Sequence, residues 1–103
     1  MEDSQTLGLP QQFGLAQNYP NPFNPETTIQ YQLPQTGNVT LRIYNLLGQE
    51  VRTLVSENQT AGSYSVAWNG KNDVGEFVTS GMYFYKLKVG ESFLVTRKML
   101  FLK

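Results

Sequence analysis

The chain contains neither cysteine nor histidine. Without cysteine it has no disulfide framework, no thiol nucleophile and no thiolate metal ligand. Without histidine it also lacks the commonest general base and the usual zinc ligand, which removes most hydrolase and metalloenzyme readings. No apolar run reaches membrane-spanning length, so no membrane insertion is expected. The opening Met1-Glu2-Asp3-Ser4-Gln5 lacks the basic and apolar regions of a signal peptide, which leaves either a cytosolic chain or an excised piece of a longer exported one. Nucleotide binding is disfavoured, because no glycine-rich loop opens a helix.

The 103 residues suffice for one small domain. Formal net charge is zero, which argues against nucleic acid as a partner. The signs are nevertheless divided: Lys86, Lys88, Arg97, Lys98 and Lys103 lie after residue 80, where Glu91 is the lone acid. A cationic C-terminal quarter marks either an interacting tail or lysines that discourage edge-to-edge aggregation of a solvated strand.

What the chain does have is period-two alternation. Ile29, Tyr31 and Leu33 share one face of a strand over residues 27–33, and Val39, Leu41 and Ile43 repeat the pattern before Asn45-Leu46-Leu47-Gly48-Gln49 turns the chain into a strand over 50–55. Tyr64, Val66 and Trp68 alternate up to the turn signal Asn69-Gly70, Phe77-Val78 suits a short strand, and Tyr83, Tyr85, Leu87 and Val89 share a face over 82–89. The last strand, 92–102, changes apolar phase around Arg97-Lys98, where a bulge would reconcile its faces. These features predict an all-β fold, an immunoglobulin-like antiparallel β-sandwich of about seven strands, with Trp68 at the core centre. Residues 1–17 show no period and read as a linker, a loosely docked arm or vector-derived residues, with the sandwich at 18–103. Between them, Pro20, Pro22 and Pro25 fix φ and deny backbone donors just before the first strand.

Candidate chemistry is sparse. Asn69, Asn72, Asp73 and Glu76 could pass for a calcium loop, but the EF-hand ligand order is absent and Lys71 lies among them, so a structural loop is the better reading. Asn38 and Asn58 match the glycosylation pattern, which recurs by chance. Ser80 with Lys98 is conceivable as nucleophile and base, with nothing in the spacing to select the pair. No catalytic residue, cofactor or metal is therefore expected.

Several motifs occur in a fixed order: Asn18-Tyr19-Pro20-Asn21-Pro22-Phe23-Asn24-Pro25, Ile43-Tyr44-Asn45-Leu46-Leu47-Gly48-Gln49, Ala61-Gly62-Ser63-Tyr64, Trp68-Asn69-Gly70, Ser80-Gly81-Met82-Tyr83-Phe84-Tyr85 and Lys98-Met99-Leu100-Phe101-Leu102-Lys103. Together they resemble a type A C-terminal sorting domain of the bacterial type IX secretion system and, more distantly, the immunoglobulin-like domain of flagellar hook-capping proteins. The resemblance implies a non-catalytic address label on a cargo protein. It would be carried through the periplasm and across the outer membrane to the cell surface or medium, and typically removed by a surface sortase that cuts in the linker. The implied partners are translocon and sortase components and an N-terminal cargo domain, with the domain itself a monomer. The implied recognition residues are Gly81, Tyr83, Lys98, Met99, Leu100, Phe101, Leu102 and Lys103.

A terminal strand at a sheet edge could offer unpaired backbone groups for strand addition, with Arg97, Lys98 and Lys103 adding charge complementarity. The alternative function is a structural or carbohydrate-binding accessory module that uses exposed aromatics such as Tyr19 or Tyr44.

Overall fold

Seven strands organise residues 9–103, which the computed structural model describes: β1 Gly14–Leu15, β2 Thr27–Leu33, β3 Gly37–Tyr44, β4 Glu50–Gln59, β5 Gly62–Trp68, β6 Gly81–Val89 and β7 Phe93–Phe101. They form two antiparallel sheets, β1-β2-β5 and β4-β3-β6-β7. Alternation dictates the layering, because successive side chains leave a strand on opposite faces. Ile29, Tyr31 and Leu33 of β2 meet Val39, Leu41 and Ile43 of β3 and Tyr83, Tyr85, Leu87 and Val89 of β6 in one buried core, with Trp68 fully enclosed. Each large apolar side chain removed from water contributes roughly 1.5–3 kcal/mol before entropy is counted.

Two expectations need correction, and an open alternative is decided. Strand β7 has no bulge: its register against β6 runs unbroken from Gly81↔Phe101 to Val89↔Phe93. Phe93, Val95, Arg97, Met99 and Phe101 therefore share the inward face, and the apparent phase change is Arg97 occupying an inward position. Its Nε donates to the Leu15 carbonyl at 2.6 Å, which gives the charge a partner at the rim of the core. The irregularities lie instead between β3 and β4, at Leu41/Arg42 and Ile43/Tyr44.

Phe77-Val78 is not a strand, and Phe77 makes only an isolated bridge to Lys71. For the segment before residue 18, the docked arm and not the linker describes residues 13–15. Residues 1–8 lie outside the described residues, but Gly14 and Leu15 pair with Gln32 and Tyr31 of β2. Leu15 is buried, and Phe13 stacks on Phe93 with ring centroids 4.8 Å apart. Two apolar side chains on so short a stretch leave no readable period, yet they link β2 of one sheet to Phe93 of the other.

Candidate functional site

The C-terminal strand is anchored and displayed at once. Met99 and Phe101 point into the core and are almost fully buried, as is Tyr83 opposite Met99, whereas Lys98, Leu102 and Lys103 are exposed and Leu100 is half-buried. Gly81 pairs with Phe101 at φ 148°, a backbone conformation that a side chain would strain. The Tyr83 hydroxyl donates to the Thr79 carbonyl at 2.6 Å and so ties down the loop that leads into β6. Of the eight residues named from the sequence, Tyr83, Met99 and Phe101 are core residues, Gly81 and Leu100 are half-buried, and Lys98, Leu102 and Lys103 face solvent.

The outer edge of β7 was expected to be unpaired, but along Lys98–Leu102 it is occupied. The Phe23 amide donates to the Leu100 carbonyl at 3.0 Å, and the Leu102 amide donates to the Phe23 carbonyl at 3.1 Å, so the two chains run parallel there. Asn21 Oδ1 accepts from the Leu100 amide at 2.9 Å, and Gln17 Nε2 donates to the Lys98 carbonyl at 2.7 Å. The proline-rich segment can play this part because Phe23, between its prolines, keeps both a backbone donor and an acceptor, and the Asn21 side-chain oxygen accepts the Leu100 amide. Phe23 completes the contact by stacking on Phe101 at 4.9 Å and tilting against Trp68 at 5.6 Å.

A buried polar network fixes the same segment from below. The Tyr85 hydroxyl donates to the Ala16 carbonyl and accepts from the Asn18 amide, each at 2.8 Å. Asn18 Nδ2 donates to Thr27 Oγ1 at 2.9 Å and to the Pro20 carbonyl at 3.1 Å, and Thr27 Oγ1 donates to that same carbonyl. Burial raises the Tyr85 hydroxyl above its ordinary pKa against the smaller opposing effects of the Asn18 amide and Arg97. Burial raises Tyr31 as well, despite its hydrogen bond to Gln59.

The remaining candidates have structural employment. Asn72 Oδ1 accepts from the Val74 and Glu76 amides and Asn69 Oδ1 from the Lys71 amide, which makes these two asparagines turn caps, while Asp73 Oδ1 accepts from the Thr53 amide and ties the loop to β4. Ser80 Oγ accepts from the Lys103 amide at 2.9 Å and thus fastens the tail. Tyr19 is 80% exposed, whereas Lys86 Nζ lies over the Tyr44 ring at 4.9 Å. Sequence reasoning passed over Gln17, Asn21 and Phe23 as edge partners. The available signal was a lone aromatic held among three prolines.

The family model described as FlgD Ig-like domain matches residues 23–92. No curated protein matches the chain. Among solved structures, that of dimeric latent PorU from Porphyromonas gingivalis is similar with a TM-score of 0.70 at 17% sequence identity. The match covers 90% of this chain and 10% of that one, so this chain spans about a tenth of its length, and a likeness at such identity concerns the fold alone.

Proposed function

This chain belongs to the FlgD Ig-like domain family, and on that premise we propose that it is a C-terminal sorting signal which directs a cargo protein across the outer membrane through the type IX secretion system. The observation that carries this reading is the design of the last strand. Met99 and Phe101 anchor it in the core, while Lys98, Leu102 and Lys103 stand in solvent. The ordered motifs over residues 18–103 support the same reading. A translocon component would read charge, apolar contact and strand position on this rim, with complementarity acting mainly on encounter rate and specificity. The domain acts as substrate and label rather than as catalyst, with sortase cleavage on its N-terminal side and an exported location for the cargo.

The test is a periplasmic reporter fused ahead of the full chain in a host that carries the secretion system. Surface delivery is expected, and a reporter that remains periplasmic speaks against sorting. The exposed ring of Tyr19 favours a second reading, a carbohydrate-binding accessory module, which predicts retardation of the isolated domain on a polysaccharide gel.

A further inference from the structure

We propose that the outer face of the β4-β3-β6-β7 sheet docks on an anionic lipid surface, a contact that goes beyond the sorting reading and does not depend on it. The inward residues of β3, β6 and β7 fill the core, so alternation sends Arg42 and Tyr44 of β3, Lys86 and Lys88 of β6 and Lys98 of β7 out by the opposite face. The register sets them side by side: Arg42 lies opposite Lys86, and Phe84 lies between Tyr44 and Lys98. Neighbouring strands are about 4.8 Å apart and alternate residues of one strand about 6.8 Å, so the cations form one continuous band. The acids at its margin are Glu50, 3.7 Å from Arg42, and Glu91 in the turn between β6 and β7.

The fold itself gains little from this band. Strand β6 is an inner strand of its sheet, so Lys86 and Lys88 guard no edge against aggregation. Arg42 and Lys86 are both half-buried, and like charges directly opposite one another destabilise a sheet. Arg42 Nε is buried without a hydrogen bond, Lys86 Nζ leans over the Tyr44 ring at 4.9 Å, and among the described residues Lys86, Lys88 and Lys98 have no ion-pair partner. A layer of lipid phosphates supplies the missing countercharge. Leu94, across from Lys88, and Met82, two residues before Phe84, are exposed on the same face and would enter the headgroup boundary without insertion of the chain. A bilayer fits this face better than an acidic protein does, because lysine is depleted from protein interfaces and every cation here except Arg42 is a lysine.

The experiment is flotation of the purified full chain with vesicles of phosphatidylcholine alone and of equimolar phosphatidylcholine and phosphatidylglycerol. The anionic vesicles should carry the chain up the gradient, and the neutral ones should leave it behind. Each basic residue near such a surface is worth about fivefold in partitioning, so Lys86→Gln with Lys88→Gln should weaken binding about 25-fold. Lys71→Gln with Arg52→Gln removes equal charge off this face, where Lys71 lies over the Phe77 ring and Arg52 is 3.7 Å from Asp73, and should weaken it by no more than about threefold. Melting temperature checks that both variants fold. Salt raised to about 1 M, where the Debye length falls to about 3 Å, should release the parent chain and needs no variant at all. Equal flotation with neutral vesicles, equal losses in the two folded variants, or retention on immobilised polyglutamate without flotation, which marks an acidic protein as the partner, overturns the proposal. Because no transport takes part, failure here is distinguishable from failure of a sorting signal in cells.

Discussion

Phe23 and Phe101 grip each other through both backbone and ring. Around them the two segments exchange amide bonds of 3.0 and 3.1 Å, and the rings stack at 4.9 Å with planes 18° apart. The start of the domain is thereby fastened to its end. Phe101→Ala removes one ring from this pair and opens a void beside Trp68, so a loss of about 3–5 kcal/mol in chemical denaturation is expected. A loss below about 1 kcal/mol would mean that the site collapses around the missing ring.

Trp68 is the other fixed point. It is fully buried, its Nε1 donates to the Lys71 carbonyl at 2.8 Å, and it meets Tyr83 edge-on at 5.5 Å. Trp68→Ala should also cost about 3–5 kcal/mol. Trp68→Phe should recover part of the packing but leave the Lys71 carbonyl with only the longer bond from Arg52 Nη1 at 3.3 Å, with an intermediate midpoint in the same denaturant titration.

The layered part of this architecture was legible because alternation is a local property. Thr27–Leu33 was bounded from sequence at the residues the structure gives, and the inward sets of β3 and β6 were read correctly for the same reason. The docked arm was legible only as an alternative to a linker, and its contacts were not. Leu15 and Phe13 gain their contacts from Tyr31, Phe93 and Arg97, which are remote in sequence, and two residues of pairing carry no period. Arg97 misled for a related reason: a charged side chain on an inward face imitates a shift in phase unless its partner, here the Leu15 carbonyl, is known. The paired edge at Leu100 depends on an asparagine side chain standing in for a backbone group, which no pattern of apolar residues announces.

Gly70 combines a left-handed backbone with close packing. Its φ is 78°, and a Cβ built there would lie 2.7 Å from Cζ of Phe101. Gly70→Ala is therefore expected to destabilise by about 1–3 kcal/mol through backbone strain and displacement of the ring. Gly75→Ala provides the comparison in thermal melts. Its φ is 87° with open space around it, so only the backbone part of the cost should remain.

The buried tyrosines set an alkaline limit. Tyr31 and Tyr85 are both raised above the ordinary value of 10.0, chiefly by burial, so the unfolded chain loses these protons at lower pH than the folded one. Their contribution is fully present below the unfolded pKa and is lost as pH rises through the folded value. Melting temperature should thus be insensitive to these groups near pH 8 and fall beyond about pH 10. Tyr85→Phe should lower stability near neutrality by about 1–2 kcal/mol through loss of its bonds to Ala16 and Asn18, yet flatten the alkaline decline. An equally steep decline in that variant would assign the effect to other groups.

The central claim is that the solvent-facing end of β7 is read by a secretion machinery, and reversal of its charges separates reading from folding. Lys98→Glu combined with Lys103→Glu touches two exposed side chains and should shift stability by no more than about 1 kcal/mol. Fused behind a reporter in a host with the type IX system, the doubly reversed chain is predicted to stay folded and to leave the reporter in the periplasm, while the parent chain delivers it to the surface. Surface delivery by the reversed chain at the parent's level would contradict the account.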